Sequence, residues 1–230
     1  PESPEKRNNL RRLKRLTHPA TDTAQEWYMG WMQQFRVQSH QKAYTTNFKE
    51  RIAEKGGGID HMADKFTNFD NPTTVKSAQW VDATTYLPGD LMVKTDRMSM
   101  AHGLEVRSPF LDHHLSEFTS KIPGRYAIRG MSGKQTLKQA YAGLIPDEIY
   151  KRPKSGFTVP IREWINAPLK NFTHELLMAK DSEVHKIINQ KYIALLLKQH
   201  HSYKYDHSVR LWNLICLEIW SKSFKVSLRY

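Results

Sequence analysis

Residues 94–112 have the sequence KTDRMSMAHGLEVRSPFLD, in which charges of both signs alternate along the whole stretch. A plain amphipathic helix needs polar residues on its outer face only. Two interpretations fit: a buried ion-pair network that fixes helix ends, or a charged functional surface. Spacing alone leaves both open. The charged residues concerned are Asp96, Arg97, Glu105, Arg107 and Asp112.

Apolar spacing on either side of this stretch predicts helices. Residues 75–102 predict two helices separated by a break at Pro88-Gly89, and Thr74 is a candidate cap for the first. Residues 110–122 predict a buried helix, which Pro123-Gly124 ends. Its apolar residues recur at helical spacing: Phe110, Leu111, Leu115, Phe118 and Ile122.

Helical patterns continue toward both ends of the chain. Two helices are predicted within 24–54, and Ser132 with Gln135 predicts a capping-box start for a helix that Pro146 stops. Further helices are predicted over 163–180, over 189–201 and from Asp206 onward. The last should turn Trp212, Ile215, Ile219 and Trp220 inward. The fold class is therefore mainly α-helical, with too little β-branched alternation for a sheet of its own.

Composition limits the possible functions. The chain has 230 residues, 39% of them hydrophobic, a net charge of +12 and one cysteine. A single cysteine excludes an internal disulfide and a cysteine-based zinc site, and favours a reducing compartment, with the cytoplasm as the default location. No apolar run is long enough for a transmembrane helix. The basic balance favours an anionic partner such as nucleic acid, a membrane surface or a phosphate-bearing ligand.

The cysteine and the histidines do not predict reactive or metal sites. Cys216 lies between Ile215 and Leu217 on an apolar helix, so a buried, inert thiol is expected. Adjacent histidines such as His113-His114 and His200-His201 point in different directions on a helix, so surface or capping roles are expected and no metal site.

Lys134 and Lys154 are candidate phosphate ligands. Lys134 stands at the first turn of a predicted helix, and Lys154 lies in a loop that Pro153 and Gly156 constrain. Helix N-termini and glycine-containing loops present N–H groups to anions, and an ammonium adds a compact positive charge. The alternative is that both are ordinary surface lysines.

The residues then reveal a family resemblance. From residue 75 to 221 the ordered motifs closely resemble the C-terminal part of glutamine-hydrolysing asparagine synthetases. The matching residues are Tyr86–Leu91, Lys94, Asp96-Arg97, Ser99–Glu105, Arg107, Pro109–Asp112, Gly133-Lys134, Leu137-Lys138, Ile145-Pro146, Arg152–Lys154, Gly156-Phe157, Pro160, Leu211-Trp212, Leu217-Glu218 and Trp220.

The resemblance implies an activity. In that family a glutaminase domain with a terminal cysteine releases ammonia from glutamine, and a synthetase domain adenylates the aspartate side chain with Mg-ATP. Ammonia then displaces AMP. The resemblance implies that Lys134 and Lys154 hold pyrophosphate, with Lys154 closest to the chemistry as the catalytic residue. It also implies that Asp96, Arg97, Glu105 and Arg107 shape or support the substrate side of the pocket.

Departures from the family pattern suggest a fragment. The chain lacks a Ser-Gly-Gly-x-Asp-Ser pyrophosphatase loop, the carboxylate motif that holds magnesium and an N-terminal cysteine. We therefore expect a sheet, the Mg²⁺ ligands and a glutaminase upstream in the same protein. The expected organisation is a helical lead-in over 1–74 and the C-terminal part of an α/β pyrophosphatase-type synthetase domain over 75–230. Alone, this chain should be inactive and poorly soluble.

Two other functions compete with asparagine synthesis. The acceptor could be a different carboxylate, as in related amidotransferases of polysaccharide or secondary-metabolite pathways. A basic helical nucleic-acid-binding module would also explain the charge, and its affinity would fall steeply with salt. Nucleic acid is the less favoured partner, because the ordered motifs are specific to the synthetases.

Overall fold

The computed structural model describes residues 23–33, 35, 41–56, 58–68, 74–128, 130, 132–152 and 159–228. The chain divides into two compact units. We call Pro1–His61 with Thr158–Tyr230 the terminal unit, and Met62–Phe157 the central unit. Residues 1–16, in which basic residues and leucines three apart predict a weakly amphipathic basic helix, lie outside the described residues. The expected boundary between a helical lead-in over 1–74 and part of a synthetase domain over 75–230 stays a prediction.

Every regular element of the described residues is helical, which confirms the predicted fold class, and the one β-bridge is the isolated antiparallel pair Tyr44–Ile188. The α-helices are α1 (Ala24–Met32), α2 (Thr46–Lys55), α3 (Gly58–Thr67), α4 (Thr74–Val81), α5 (Val93–Met100), α6 (His113–Ser120), α7 (Gln135–Ala140), α8 (Asp147–Lys151), α9 (Ile161–Asn166), α10 (Lys170–Met178), α11 (Gln190–His201) and α12 (Ser208–Phe224). A π-helix spans Asp82–Met92, and 3₁₀ turns span Pro109–Leu111, Gly124–Tyr126 and Glu183–Lys186.

The terminal unit closes a hydrophobic core between α9, α10, α11, α12 and the Glu183–Lys186 turn. Aliphatic side chains of these elements fall into one buried cluster, and Tyr44 and Trp212 pack against it. Burial of such side chains contributes about 1.5–3 kcal/mol each. The cluster consists of Ile165, Leu177, Val184, Ile188, Ile193, Leu196, Leu197, Leu211, Leu214 and Ile215.

A buried carboxylate joins α12 to the Glu183–Lys186 turn. Glu218 is 0% exposed, and its Oε2 accepts a hydrogen bond of 2.9 Å from the Val184 N–H. Its Oε1 lies 3.2 Å from Lys222 Nζ one turn later on α12. Glu183 in turn accepts 2.8 Å from the Leu228 N–H, which ties the C-terminal segment to the same turn. The buried charge is therefore both paired and hydrogen-bonded, as burial requires.

The terminal unit corrects three predictions. Residues 163–180 form two helices instead of one, because Pro168 cannot continue α9. On α12, Ile215 faces the core as predicted, but Ile219 and Trp220 are exposed at 42% and 44%. Cys216 is exposed, not buried. Apolar neighbours on both sides did not fix which face of α12 packs, because this helix carries apolar residues around more than half its circumference.

The central unit corrects the predicted break at Pro88-Gly89. The chain stays helical from Thr74 to Met100, because the wider π-helix Asp82–Met92 takes up Pro88 between α4 and α5. Proline lacks an N–H and its ring clashes with the carbonyl four residues earlier in an α-helix. A π-helical turn shifts the bonding pattern by one residue and avoids that carbonyl.

Few apolar residues of the central unit are buried. Among its described residues the buried hydrophobic side chains are Phe66 and Val81. The predicted buried helix at 110–122 is instead a 3₁₀ turn followed by α6, with Phe110 and Phe118 exposed at 63% and 65%. The helical spacing correctly predicted an apolar stripe along residues 110–122, but no described element of this unit covers that stripe.

None of the helices in the described part of the chain is both long and apolar enough to cross a membrane.

Candidate functional site

Helix α5 carries Asp96 and Arg97 and ends in a tight left-handed turn. Gly103 has φ +65°, a conformation that glycine adopts without strain. The Leu104 N–H donates to Ser99 O and the Gly103 N–H to Met100 O, both at 3.0 Å. These two bonds form a Schellman motif, which explains why the sequence places a glycine there. The three charged side chains of α5, Lys94, Asp96 and Arg97, are all exposed.

Beyond Gly103 the chain runs as an irregular segment to Ser108. Glu105 Oε1 and Arg107 Nη2 form an ion pair of 2.5 Å, with 72% and 85% of their side chains exposed. Asp112 starts the next helix, since its Oδ1 accepts 3.1 Å from the Leu115 N–H at the start of α6. The five residues of the predicted ion-pair network all lie at the surface, so a buried network is wrong. Glu105 and Arg107 are the pair that the structure brings together.

Lys134 lies immediately before α7 in a left-handed backbone conformation. Its φ of 58° is one of three positive values among the described non-glycine residues. Such a conformation costs a non-glycine residue about 1–2 kcal/mol. Neighbouring bonds enforce it: the Gln135 N–H donates 3.1 Å to Ala127 O, and Thr136 Oγ1 donates 2.9 Å to Tyr126 O. The predicted capping box of Ser132 and Gln135 is wrong, because Lys134 precedes α7 without a side-chain cap; Gln135 Nε2 instead donates 2.8 Å to Ser132 Oγ.

The side chain of Lys134 is exposed, whereas its neighbour Lys138 is held in place. Lys138 Nζ lies 5.8 Å from the centre of the Tyr150 ring and 3.4 Å from Ser132 Oγ. An exposed ammonium on a fixed backbone can reach an anion without first breaking an internal contact. Lys154, its predicted companion, lies outside the described residues.

Sequence reasoning missed the buried polar groups of α9 and α11. His200 is 0% exposed, so the predicted surface location is wrong for this histidine. Its Nδ1 accepts 3.2 Å from the His207 N–H, and His201 Nδ1 lies 3.0 Å from Asn166 Oδ1. The signal was available, because His200 continues the buried stripe of Ile193 and Leu196 at helical spacing. Burial lowers the pKa of both histidines, so that both stay neutral near neutral pH.

The described residues offer little for redox or metal chemistry. Partial burial raises the pKa of the Cys216 thiol, which disfavours the nucleophilic thiolate although the residue is exposed. Within the described part of the chain, no three side chains of His, Cys, Asp or Glu lie together in a way that could hold a metal ion.

Comparison with known proteins adds independent findings. The family model described as asparagine synthase matches residues 3–222. A glutamine-hydrolysing asparagine synthetase of Bacillus subtilis is 32% identical over 165 residues, which are 72% of this chain and 26% of that protein. A putative glutamine-hydrolysing asparagine synthetase of Mycobacterium tuberculosis is 31% identical over 167 residues, or 69% of this chain and 25% of the relative.

A more distant relative carries a different name. The amidase chry2 of Gibberella zeae is 31% identical over 116 residues, which cover 47% of this chain and 17% of the amidase. No solved structure matches the chain. The chain thus spans about a quarter of the length of the synthetases it resembles.

Proposed function

Because the chain belongs to the asparagine synthase family, we propose that it forms the C-terminal part of an ATP-dependent amidotransferase that converts aspartate to asparagine. The observation that carries this proposal is the match over residues 3–222, together with relatives named as glutamine-hydrolysing asparagine synthetases. The nitrogen source would be ammonia from glutamine, released by a part of the protein outside this chain.

The reaction has two balanced steps. The aspartate side-chain carboxylate attacks the α-phosphorus of ATP, which forms β-aspartyl-AMP and releases pyrophosphate. Ammonia then attacks the acyl carbon, AMP leaves, and the nitrogen loses a proton to give the amide. Negative charge grows on the pyrophosphate oxygens in the first step, so cations placed beside them lower the barrier.

Lys134 and Lys154 are the residues that we assign to the pyrophosphate. Lys134 supports this role through its exposed side chain and its fixed left-handed backbone. Positive-φ strain at a non-glycine residue is often retained where it serves function. For Lys154 the support is its place in the sequence Lys151-Arg152-Pro153-Lys154, where it follows two cations and a proline. We assign it the position closest to the adenylate.

The charged residues of the central unit would serve the substrate side. Asp96 and Arg97 on α5, and the Glu105–Arg107 pair beyond Gly103, are exposed and free to meet a polar substrate or a neighbouring segment. An arginine can bind a carboxylate with two parallel hydrogen bonds, which suits an α-carboxylate of aspartate. Arg107 already pairs with Glu105, so Arg97 is the better candidate for direct contact.

ATP enters this reaction with Mg²⁺. The described residues can supply a lysine to the phosphates, but they do not supply ligands for the metal ion. Lys134 offers an ammonium to phosphate, whereas no described cluster of carboxylates and histidines suits a cation. Following the family resemblance, we place the Mg²⁺ ligands in a part of the protein outside this chain.

The exposed apolar surface of the central unit supports the fragment hypothesis. Leu144, Phe110 and Phe118 are exposed at 77%, 63% and 65%. Large exposed apolar side chains of this kind mark an interaction surface where they adjoin one another. We propose that the upstream part of the synthetase domain covers it, and that this chain alone is inactive.

Aspartate-dependent release of pyrophosphate by the full-length protein tests the proposal. We expect Lys134→Ala to lower kcat/KM for ATP about 100-fold, because removing one donor from a developing anion has effects of this size. Lys154→Ala should lower kcat by at least about 100-fold as well, because we place Lys154 closest to the adenylate. The matched control is Lys121→Ala, an exposed lysine of the same unit, which should change neither value by more than about twofold. No aspartate-dependent pyrophosphate release, or equal behaviour of Lys134→Ala and Lys121→Ala, would overturn the assignment.

A second candidate function is amide formation on a different carboxylate. The similarity to the amidase of Gibberella zeae favours it, because that relative carries a name other than asparagine synthetase. Acceptor competition distinguishes the two. Pyrophosphate release that aspartate fails to stimulate, but a larger carboxylic acid does, would support this alternative.

A further inference from the structure

The backbone of Lys134 decides where its ammonium points. The side chain is exposed, and no described residue forms an ion pair or a hydrogen bond with it. Its φ of 58° directs the Cα–Cβ bond differently from the right-handed conformation that a lysine prefers. A return to the right-handed conformation would therefore turn the side chain away from its present direction.

Two hydrogen bonds join the start of α7 to the chain that precedes it. The Gln135 N–H donates 3.1 Å to Ala127 O, and Thr136 Oγ1 donates 2.9 Å to Tyr126 O. The two donors directly follow Lys134, and the two acceptors are adjacent in the sequence. We call this pair of bonds the clasp. It closes the loop that contains Lys134 at its base, and its second bond requires a side-chain hydroxyl.

The acceptor side of the clasp is itself anchored. Tyr126 belongs to a 3₁₀ turn, and its N–H donates 3.0 Å to Pro123 O. The Ala127 N–H donates 3.0 Å to Gly124 O. Gly124 lies against α4, because a Cβ at this position would stand 3.3 Å from Val75 Cγ1. A hydroxyl that bonds to this turn can therefore fix the start of α7.

Other threonines of the central unit use their hydroxyls differently. Thr84, Thr95 and Thr119 donate to a carbonyl three or four residues earlier along the same helical segment. Thr136 donates ten residues back, across the loop that contains Lys134. Its hydroxyl therefore connects two elements, whereas the other three act within one.

We infer that Thr136 is a positioning residue, whose hydroxyl holds Lys134 in the left-handed conformation from which the ammonium reaches pyrophosphate. Lys134 meets pyrophosphate only under the proposed function, so this role rests on that function. Without the hydroxyl, Lys134 is correctly directed in a smaller fraction of the molecules. The apparent dissociation constant for pyrophosphate then rises in inverse proportion to that fraction.

Titration of the full-length protein with inorganic pyrophosphate and Mg²⁺ tests this role without turnover. Thr136→Val replaces the hydroxyl by a methyl group, and we expect it to raise the dissociation constant about fivefold, because one neutral hydrogen bond contributes about that factor. Thr136→Ser keeps the hydroxyl and should change the constant less than about twofold. The matched control is Thr119→Val, which removes a hydroxyl bonded within α6 and should also change the constant less than about twofold.

A double-mutant cycle separates the positioning of Lys134 from a general effect on folding. In a Lys134→Ala background, Thr136→Val should change the dissociation constant less than about twofold, because the ammonium that the hydroxyl directs is gone. An equal loss in both backgrounds, or failure of Thr136→Ser to retain binding, would overturn the role. Absence of pyrophosphate binding, or binding that Lys134→Ala leaves unchanged, would overturn it as well.

Amide exchange in this chain gives a second readout that needs no ligand. Thr136→Val should speed exchange of the Gln135 N–H and leave exchange in α6 the same, and unchanged exchange at Gln135 would overturn the clasp. The proposed function fails separately from this role. Pyrophosphate binding with the expected coupling, but without aspartate-dependent release of pyrophosphate, would support the role of Thr136 and overturn the reaction with aspartate.

Discussion

The terminal and central units contain similar kinds of apolar residues but bury them very differently. In the terminal unit, aliphatic residues of α9 to α12 close a continuous core around Leu211 and Ile193. In the central unit, Phe66 and Val81 are the buried hydrophobic residues among those described, and the apolar stripe of α6 lies open. The residues that carry most of the family resemblance lie in this second unit.

This difference separates two uses of an apolar pattern. In the terminal unit the partners of each stripe are encoded within the same chain, so the pattern produces a core. In the central unit the same type of stripe lacks a described partner, so its burial free energy is available to another segment. The comparison with relatives fits this view, because the chain spans about a quarter of their length.

The largest contrast should appear when equivalent leucines are truncated. Leu211→Ala removes a side chain that is 0% exposed, and we expect it to cost the terminal unit about 3 kcal/mol. Leu144→Ala removes one that is 77% exposed, and we expect a change within about 0.5 kcal/mol. Urea unfolding of the chain, followed by hydrogen exchange in each unit, measures both values.

The same pair of variants in the full-length protein sharpens the comparison. If an upstream segment covers the central unit, Leu144→Ala should there cost more than about 1 kcal/mol, while the cost of Leu211→Ala stays the same. An equal and small cost of Leu144→Ala in both settings would contradict the covering of this surface.

The second contrast is in the response to acid. Burial lowers the pKa of His200 and of His201 below the ordinary 6.5, so the unfolded state binds more protons than the folded state. The stability that neutral rings provide is therefore complete above about pH 7 and decreases as the pH falls through 6.5 toward the folded-state values. For one proton the slope approaches about 1.4 kcal/mol per pH unit. His200 should contribute most of it, because His201 is partly solvated.

Denaturant titrations between pH 7 and pH 5 check this decrease. His201→Gln removes one titrating ring and can still donate to Asn166 Oδ1, so it should reduce the slope without unfolding the unit. The control is His113→Asn, which replaces an exposed histidine of the central unit. A terminal unit that is equally stable at pH 7 and pH 5 would contradict the buried location of these rings.

Sequence alone predicted the helical class and most helices, because periodic apolar spacing and capping residues act locally. Pro168 shows where that reasoning falls short, since a proline within a periodic segment divides α9 from α10. Pro88 shows the opposite case, because a π-helix absorbs it. Local rules state what proline excludes in an α-helix, but not which alternative backbone the rest of the chain favours.

Burial was harder to predict than helicity. Cys216, Ile219 and Trp220 were expected inside and are exposed, whereas His200 was expected outside and is buried. Burial depends on which face of a helix finds a partner, and that partner is distant in the sequence. The candidate phosphate ligands came from their helix-start and loop positions and from the family resemblance, and the structure adds the backbone conformation of Lys134.

The smallest contrast concerns the cap of α6 in the exposed 94–112 region. Asp112→Ala removes the acceptor for the Leu115 N–H, and we expect it to destabilise α6 by about 1 kcal/mol. Asp112→Asn keeps an acceptor oxygen, so it should destabilise α6 by a few tenths of a kcal/mol at most. Amide exchange in α6 measures the effect, with α11 as the internal reference. Because the described central unit has so little core to transmit the change, exchange in α11 should stay the same. Faster exchange in both helices would show that the two units unfold together. The units would then differ in how much apolar surface they bury, but not in how they unfold.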